Sequence, residues 1–482
     1  MKSNLSFPAE DKKLLKDIYS FSESRGLKLY LVGGVLRDRI LGRQRENPDF
    51  DFAIKKNAIR FGRALARELK YGFVVLDKKH GSCRLVKKYK SKTYTFDFTD
   101  FRGKDLLNDL KHRDFTINAI ALRLEDGLNS SDFSKALIDF YGGKDDIRKK
   151  LIREVNKNSF SEDPLRVLRA FSFSCALGFN IENNTLRLAG LSKNKLTLVS
   201  SERIREELFK VFATGKSYDC LCALDKLKAL EIIFPEIKKM RKIGQGPYHH
   251  LDVWQHTLET VRQLEIIFDS LNNEDIITYL DKVISSDRKR RAILKFGAFL
   301  HDFGKPRTLR RQKGRTTFHG HERVGLMIAE DIAKRLKLSN DEIYSLRKIV
   351  LWHLRPGYLA DSKNPTPRAK FRYFRDTGSE ALSTLLLSLA DQRSTKGPLT
   401  TLKSRKQHER VVASLIKEYL KKDKEVKPKR LLNGNEVMKA FKLTPSPLVG
   451  KILSLVEELQ GIGKVKDKKE ALKAAAKLIK NK

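Results

Sequence analysis

The chain reads Tyr30-Leu31-Val32-Gly33-Gly34-Val35-Leu36-Arg37-Asp38 and, after a short gap, Asp49-Phe50-Asp51-Phe52-Ala53-Ile54. A glycine pair after an apolar strand lets the backbone approach a ligand closely, because glycine has no side chain. Backbone nitrogens that open a helix at such a turn form an anion site. Asp49 and Asp51 share one face of a strand, since residues i and i+2 point the same way. Paired carboxylates together with substrate phosphates bind Mg²⁺, so this stretch predicts metal-assisted phosphoryl or nucleotidyl transfer.

Each of these short motifs also has an ordinary structural explanation. A lone Gly-Gly is usually a turn, and a lone Asp-x-Asp is usually a solvated strand end or loop. The two motifs occur here in order and close together, and that combination is far more specific than either motif alone.

Charge gives the second indication of function. The chain has 482 residues, with 99 Lys and Arg against 59 Asp and Glu, for a formal net charge of +40. An excess spread along the whole chain favours salt-dependent binding of a nucleic acid over a merely solvated basic surface. The sequence has no apolar run long enough for a membrane span and no secretory signal at its start. Four cysteines do not make a disulfide framework, which favours a reducing cytoplasm.

Residues 1–150 alternate helix-like and strand-like patterns, which predict an α+β unit. The predicted helices cover 9–25, 35–41 and 57–69, and the predicted strands cover 28–32, 49–54, 71–76, 82–88 and 93–99. From about residue 160 helical periodicity dominates to the end of the chain. One helix is predicted near Ser161, a good N-cap, with Pro164 tolerated in its first turn.

Further motifs continue the pattern downstream. They are Arg113-Asp114-Phe115-Thr116-Ile117-Asn118, Asp139-Phe140-Tyr141-Gly142-Gly143-Lys144-Asp145-Asp146, Glu162-Asp163-Pro164-Leu165-Arg166 and Ser201-Glu202-Arg203-Ile204. With the two opening motifs, they resemble the class II tRNA nucleotidyltransferases (the CCA-adding enzymes) and the related bacterial poly(A) polymerases. The resemblance covers at least residues 28–215. One departure is His112, where the family often has a second arginine.

The resemblance implies roles for residues that match these motifs. Asp49 and Asp51 become the catalytic pair, which holds Mg²⁺ for two-metal nucleotidyl transfer. Asp97 lies on a predicted neighbouring strand, where it is either a third carboxylate or a strand-end acid that faces solvent. The residues implied to bind the nucleotide are Gly33, Gly34, Arg37, Arg113, Asp114, Asn118, Asp163, Arg166 and Arg169.

Asp163 and Arg166 have the hydrogen-bonding chemistry to select a base. At positions i and i+3 of a helix they would share one face, where a carboxylate accepts and a guanidinium donates. Cytosine and adenine each present an amino donor beside a ring-nitrogen acceptor, and guanine and uracil present the reverse order. One Asp–Arg pair can therefore accept C and A while it rejects G and U. Without the upstream motifs, the same pair would be an ordinary surface ion pair.

A second metal pattern lies in the helical region. His256, His301, Asp302 and Asp391 resemble, in their order, the His…His-Asp…Asp ligand set of the HD phosphohydrolase domain. His321 and His353 are further candidate ligands. Imidazole combined with carboxylate suits a transition metal such as Ni²⁺ or Mn²⁺ better than Mg²⁺ alone. The alternative is an HD fold retained as an RNA-binding body, and the identity of any substrate is left open.

The resemblance implies an α+β nucleotidyltransferase head with a polymerase-β-like mixed sheet, followed by an all-α neck, an HD domain and a helical basic tail. The expected boundaries are 1–150, 151–240, 241–400 and 401–482. The expected activity is template-independent addition of CCA to tRNA 3′ ends from CTP and ATP, without an obligate protein partner. The alternatives are a poly(A) polymerase, an enzyme that adds only CC or only A, and an HD phosphohydrolase whose head binds RNA.

Overall fold

A computed structural model describes residues 5–44, 46–312, 314–362, 364–423 and 430–480. The chain forms two compact units, one of residues 1–207 and 223–233 and the other of residues 208–222 and 234–482. Within the described ranges, no helix combines the length and the apolar character that crossing a membrane requires. The predicted boundaries at 150, 240 and 400 stay predictions.

The first half of the chain alternates helices and strands as far as α9. Its elements are α1 (Ala9–Glu23), β1 (Tyr30–Val32), α2 (Gly34–Ile40), β2 (Asp49–Ile54), α3 (Ala58–Leu69), β3 (Gly72–Asp77), β4 (Ser82–Tyr89), β5 (Lys92–Asp100), α4 (Leu106–Lys111), β6 (Ala121–Arg123), α5 (Leu124–Asn129), α6 (Gly143–Lys149), β7 (Leu151–Ile152), α7 (Ser159–Glu162), α8 (Arg166–Leu177), β8 (Asn180–Ile181) and α9 (Asn183–Ser192).

A six-stranded mixed sheet in the order β3-β4-β5-β2-β1-β6 organises this first half. Strand β2 runs parallel to β5 and antiparallel to β1. Phe50 and Phe52 of β2 stack on Phe96 and Phe98 of β5, with ring centroids 5.7 Å and 4.8 Å apart. Because these aromatic residues alternate with acids along both strands, burying the rings turns the carboxylates to the opposite face of the sheet.

The rest of the chain is helical apart from two short antiparallel strand pairs. Its elements are α10 (Ser201–Ala213), α11 (Ser217–Lys226), α12 (Leu230–Ile233), α13 (Ile237–Met240), α14 (Val253–Asp269), α15 (Glu274–Asp281), β9 (Val283–Ser285), β10 (Arg288–Lys289), α16 (Arg290–Leu300), α17 (Lys305–Thr308), β11 (Arg310–Gln312), β12 (Arg315–Thr317), α18 (His321–Arg335), α19 (Asn340–Trp352), α20 (Arg355–Asp361), α21 (Pro367–Thr377), α22 (Ala381–Ser394), α23 (Leu402–Asp423), α24 (Gly434–Phe441), α25 (Pro447–Gly461) and α26 (Lys468–Lys480).

The core of the second unit forms where α14, α16 and α22 pack against one another. Helix α14 starts with a capping box. The Asp252 carboxylate accepts a hydrogen bond from the backbone nitrogen of Gln255, and the Gln255 side chain accepts one from the backbone nitrogen of Asp252. Helix α22 is buried along most of its length, and its buried residues are leucines and alanines together with small polar residues such as Ser383 and Thr384. Near the C-terminus, α24, α25 and α26 enclose a separate apolar cluster that includes Val437, Ile452 and Ala475.

The element predictions for the first 100 residues are confirmed to within about two residues, including the strand at 49–54. The α+β class of the head and the helical class of the remaining chain are also confirmed. The expectation that helices dominate after residue 160 is also confirmed, and the short strands β8, β9–β10 and β11–β12 are the additions that the sequence did not predict. Those strands are two or three residues long, too short to show a period-2 apolar pattern.

Candidate active site and metal centre

Three carboxylates meet on the polar face of the sheet. Asp49 and Asp51 project from β2, and the parallel register sets Asp51 beside Asp97 of β5. One oxygen of each side chain lies within 4.8 Å of the others. Asp49 also accepts a 2.5 Å hydrogen bond from the Thr95 hydroxyl. A cluster of carboxylate oxygens is the ligand chemistry that a hard divalent cation prefers, so the residues present fit such an ion.

Asp97 lies in the middle of β5, with 13% of its side chain exposed, rather than at a solvent-facing strand end. Arg84, its partner on β4, donates two hydrogen bonds of 2.7 Å to its two oxygens. Burial raises the pKa of Asp97, and the Arg84 guanidinium opposes that rise. Of the two interpretations of Asp97, the structure therefore favours a third carboxylate that is anchored by an arginine.

Gly33 brings the backbone and Arg113 against the carboxylates. Its φ of +78° is a conformation that residues with a side chain rarely adopt. A Cβ atom at this position would lie 3.2 Å from Nη1 of Arg113 and 3.3 Å from Oδ2 of Asp51. The guanidinium of Arg113 also pairs with Asp109 at 3.5 Å. One space is therefore bordered by the Arg113 guanidinium, by the backbone turn at Gly33 and by the carboxylates.

Four of the predicted nucleotide-binding residues bind each other in a buried network. Arg37 donates to Asn118 at 2.6 Å, and Asn118 donates to Asp114 at 3.0 Å. Arg169 donates to Asp114 at 2.9 Å and 2.6 Å and also pairs with Glu207. Burial alone would raise the pKa of Asp114, but the Arg169 charge and these hydrogen bonds lower it to about 2. The network fixes the wall of the site beneath the glycine turn.

The predicted placement of Asp163 and Arg166 on one helix is wrong. Asp163 is extended, with φ −147° and ψ 98°, and α8 begins only at Arg166. The cause is Pro164, whose ring disfavours helical backbone at the preceding residue. Ser161 accordingly lies inside the short helix α7 and does not cap α8.

Both of these residues have side-chain contacts within the first compact unit. Asp163 accepts from Arg203 at 2.7 Å. Arg166 is buried and donates to Ser159 at 2.8 Å and to the His112 carbonyl at 2.5 Å. Arg203 belongs to the Ser-Glu-Arg-Ile motif, so this hydrogen bond joins that motif to the Glu-Asp-x-x-Arg motif.

All six predicted ligands of the second metal pattern lie together in the second unit. His256 and Asp391 come from α14 and α22, and Nε2 of His256 lies 2.9 Å from the Asp391 carboxylate. His301 and Asp302 follow the end of α16, His321 begins α18 and His353 follows α19. Two groups have ligand atoms within 4.8 Å of one another: His256, His301 and Asp391, and Asp302, His321 and His353.

Backbone carbonyls orient three of the four histidine rings, and the Ser394 hydroxyl lies 3.1 Å from Nδ1 of the fourth, His256. Nδ1 of His301 lies 2.7 Å from the Ala298 carbonyl, Nδ1 of His321 lies 2.8 Å from that of Phe318, and Nδ1 of His353 lies 2.7 Å from that of Val350. Each Nδ1 therefore carries the proton, and in the neutral ring Nε2 keeps a free lone pair that faces the centre. Burial lowers the pKa of His353 to about 3, which favours that neutral form.

Sequence reasoning did not identify Arg84, Thr95, Arg203 or Lys305 as site residues. Lys305 pairs with Asp302 at 2.6 Å and donates to Gln245 at 2.6 Å. Burial would raise the pKa of Asp302, but His301 and Lys305 hold it well below its usual range. The i,i+3 spacing of Asp302 and Lys305 could have revealed their pairing. The other three contacts depend on strand register or tertiary packing, which no local spacing encodes.

Comparisons with known proteins agree with this arrangement. Residues 29–153 match the poly A polymerase head domain, residues 178–240 match the probable RNA and SrmB-binding site of polymerase A, and residues 253–459 match the HD domain. The chain is 32% identical over 453 residues to the A-adding tRNA nucleotidyltransferase of Deinococcus radiodurans, which covers 92% of this chain and 93% of that protein. The chain belongs to the class II tRNA nucleotidyltransferase family.

Other relatives extend this result. This nucleotidyltransferase is 28% identical to the CC-adding tRNA nucleotidyltransferase of Thermus thermophilus, with 91% of each chain covered. It is 29% identical to the multifunctional CCA protein of Shewanella denitrificans, over 65% of this chain and 71% of that one. A CCA-adding enzyme solved with ATP shares the fold at a TM-score of 0.65 and 21% identity, covering 98% of this chain and 96% of the other.

Proposed function

We propose that the chain adds CMP, CMP and AMP, from CTP and ATP, to the 3′ end of tRNA without a nucleic-acid template. The observation that carries this proposal is the carboxylate group Asp49, Asp51 and Asp97 beside Gly33 and Arg113. The substrate is inferred from relatives: tRNA nucleotidyltransferases cover more than nine-tenths of the chain. We also assign the reaction to the cytoplasm, since four cysteines in a chain of 482 residues do not make a disulfide framework.

In this proposal Asp49 and Asp51 hold Mg²⁺, and Asp97 supports them from the next strand. When bound, the ions lower the pKa of the RNA 3′-hydroxyl and neutralise charge on the leaving pyrophosphate. Arg113 binds the triphosphate, since a guanidinium matches phosphate geometry. Gly33 and Gly34 leave the room that the triphosphate needs next to the backbone. Arg37, Asp114, Asn118 and Arg169 keep the wall of the site rigid.

Asp163 and Arg166 select the base in this proposal. The carboxylate accepts the amino group that C and A share, and the guanidinium donates to the adjacent ring nitrogen. Arg203 holds the Asp163 carboxylate at 2.7 Å, so that the acceptor is oriented before the base arrives. A nucleotide with the opposite order sets acceptor against acceptor and donor against donor, so it makes neither of these hydrogen bonds.

Addition of a single A is the second candidate function. The observation that favours it is the 32% identity to an A-adding tRNA nucleotidyltransferase along nearly the entire chain. The CC-adding relative is 28% identical over a similar length, which keeps CC-only addition as a further alternative. A poly(A) polymerase and a hydrolase whose head only binds RNA fit the intact carboxylate group and the tRNA-specific relatives less well.

One incorporation assay separates these candidates. The substrates are tRNA that ends at the discriminator base, tRNA-C and tRNA-CC, each with CTP, with ATP or with both. Three additions to the first substrate support CCA addition, and addition only to tRNA-CC with ATP supports the A-only enzyme. Unlimited addition of A to any RNA would contradict the proposal.

Asp49→Ala tests the catalytic assignment in the same assay. We expect incorporation to fall at least about a thousandfold, because several kcal/mol of charge stabilisation are lost. Affinity for tRNA should remain. Asp145→Ala is the control, since Asp145 is an exposed acid of the same unit that pairs with Arg148. If Asp49→Ala retains incorporation, the catalytic assignment is wrong.

We further propose that the HD centre binds a divalent transition metal such as Ni²⁺ or Mn²⁺ and hydrolyses phosphate esters. Imidazole nitrogens with carboxylate oxygens support such a metal, and Lys305 beside Asp302 offers a cation for a phosphate group. The test is hydrolysis of a simple or 2′,3′-cyclic phosphate ester with either metal, which Asp302→Ala should abolish. A wild-type chain that turns over neither ester would demote the HD domain to a scaffold.

The excess of positive charge supports tRNA as the polyanion. One concentrated part of it is the basic hairpin, residues 303–321, which includes β11 and β12. This segment has Lys305, Arg307, Arg310, Arg311, Lys313 and Arg315. Arg310, Arg311 and Arg315 are exposed, and in the described parts of the chain none of the three forms an ion pair. Unpaired guanidinium groups on a hairpin are suited to bind backbone phosphates.

A further inference from the structure

Strand β3 forms one outer edge of the six-stranded sheet, and among the described residues its backbone pairs only with β4. In an antiparallel pair, alternate residues turn their N–H and C=O groups away from the neighbouring strand. The backbone of β3 therefore presents a row of hydrogen-bonding groups at the edge of the sheet. We propose that β3 binds an extended acidic segment of a partner protein, which adds a further strand to the sheet. This binding surface goes beyond nucleotide addition and does not depend on it.

The sequence of β3 lacks the features that usually protect an edge strand from pairing. Lysine, proline or a bulge commonly guards such a strand. The strand reads Gly72-Phe73-Val74-Val75-Leu76-Asp77, with neither lysine nor proline. Its register with β4 shifts only between Val75 and Asp77, near its end. The regular part of the edge therefore has the backbone geometry that an added strand requires.

Two apolar side chains of β3 extend this surface. Val74 is 55% exposed and Leu76 is 48% exposed. They are two residues apart, so they point to the same face of the strand. An added strand with apolar residues at the same spacing covers both side chains while its backbone pairs with the edge. Backbone hydrogen bonds would then supply affinity, and the two apolar contacts would fix the register.

The opposite edge of the same sheet is closed. Ala121 and Leu122 of β6 are fully buried. Ala121 also pairs with Ile138 in an antiparallel bridge. The fold therefore covers one edge of the sheet and leaves the other, β3, accessible to a partner.

The charge around β3 indicates the kind of partner. Lys70 precedes the strand, and Lys78 and Lys79 follow it. All three are exposed, and within the described ranges none of them pairs with a carboxylate. Asp77, the acid of β3, already pairs with His80 at 2.7 Å. An acidic segment would therefore meet complementary charge at both ends of the strand.

Two other occupants match the edge less well. In an antiparallel pair of β3 with β3 of a second copy, the lysines at the two ends would face each other, which disfavours self-association. Single-stranded RNA would be attracted by the lysines, but unpaired bases stack on aromatic rings. The most exposed side chains of β3 are the aliphatic Val74 and Leu76. A protein strand uses both the backbone groups and these side chains.

The experiment uses the full-length chain and a fluorescent peptide in which glutamate alternates with valine over about eight residues, within the usual length of a strand. A peptide with lysine in place of glutamate tests the charge, and a single-stranded RNA oligonucleotide tests the other polymer. Fluorescence anisotropy measures binding, and hydrogen exchange with mass spectrometry measures protection of residues 72–77. We expect the glutamate peptide to bind, to slow exchange in this segment at least about tenfold and to bind more weakly as salt is raised.

Val74→Ser/Leu76→Ser removes the two apolar contacts and should weaken binding of the glutamate peptide at least about tenfold. Leu191→Ser/Leu198→Ser is the matched control, because these leucines are 70% and 79% exposed and lie outside the strands. The control should bind the peptide as the wild-type chain does. Melting temperatures establish that both variants are folded.

Several results would overturn the proposal. The first is absence of binding by the glutamate peptide, and the second is equal affinity of the two double variants. Tighter binding of the lysine peptide would contradict the acidic partner. Protection of residues 72–77 by the RNA alone would assign the edge to RNA. Protection that accompanies a dimer in analytical ultracentrifugation, without any peptide, would assign it to a second copy of the chain.

Discussion

At the scale of single residues, Gly33 shows how one position sets the room for substrate. Gly33→Ala places a methyl group at 3.2–3.3 Å from Arg113 and Asp51 and also carries the cost of a positive φ. Gly42→Ala is a matched control, because Gly42 has φ +66° and nothing within 4 Å of an added Cβ. Both variants should lose roughly 1 kcal/mol of stability from backbone strain.

The two glycine variants should differ in catalysis. We expect Gly33→Ala to lower kcat/KM for nucleotide incorporation at least about tenfold, which corresponds to about 1.4 kcal/mol. Gly42→Ala should retain the wild-type value. Steady-state incorporation with varied ATP and CTP measures both constants. Equal kcat/KM values for the two variants would show that the contact of Gly33 with the site has no functional role.

The ionisation of Asp114 makes the stability of the fold depend on pH. Its folded pKa of about 2 lies below the ordinary value of 3.8, so the ionised form stabilises the fold. That stability, roughly 2 kcal/mol, is fully present above about pH 4 and is lost as pH falls through 2. Asp114→Asn should therefore lower the melting temperature at pH 7, and the difference from wild type should shrink toward pH 2. A constant difference between pH 7 and pH 2 would contradict the network.

At the scale of elements, the sequence predicts the features that depend on residues close together in the chain. The strand at 49–54 follows from acids that alternate with apolar residues, and its position is confirmed. The sequence leaves the role of Asp97 open, because that role depends on the β2–β5 register, which joins residues 46 positions apart. The helical placement of Asp163 is wrong because Pro164 disfavours helical backbone at the residue before it, and this effect outweighs the i,i+3 spacing.

The HD ligands show the same limit. The order His…His-Asp…Asp can be recognised in the sequence, and His321 and His353 could be proposed as further candidates. Their division into two groups around Asp302 could not be predicted from the sequence, because the packing of α16, α18 and α19 determines it. Spacing identifies which residue types are present, and tertiary packing decides which atoms face each other.

The basic hairpin is an element whose charge makes a measurable prediction. Arg310→Ser/Arg311→Ser/Arg315→Ser should flatten the dependence of log Kd for tRNA on log salt. Each lost phosphate contact changes that slope by about 0.7 to 0.9. The control is Lys55→Ser/Lys56→Ser/Lys78→Ser, which removes the same charge from positions elsewhere on the chain. Filter binding between 50 and 200 mM salt, roughly the range where such slopes are steep, measures the effect. Equal slopes for both triple variants would assign the effect to net charge rather than to the hairpin.

At the scale of the whole molecule, two candidate metal sites of different chemistry belong to two separate compact units. One is a carboxylate group on a sheet, suited to hard cations, and the other is a histidine-rich centre between helices, suited to transition metals. Because no side chain is shared between them, we expect their activities to be separable. Asp49→Ala should lose nucleotide incorporation and keep phosphate-ester hydrolysis with Ni²⁺ or Mn²⁺.

Asp302→Asn should give the opposite result, with hydrolysis lost and tRNA extension kept. The conservative amide keeps the volume of a fully buried side chain, but it removes the charge that Lys305 and the histidines face. Leaving the buried Lys305 without its carboxylate lowers stability by several kcal/mol, about 3–5 for a buried pair. The comparison is therefore made well below the melting temperature of the variant. If Asp302→Asn loses tRNA extension while its head still binds ATP with wild-type affinity, the HD unit takes part in the transfer reaction, and the separation of the two activities is wrong.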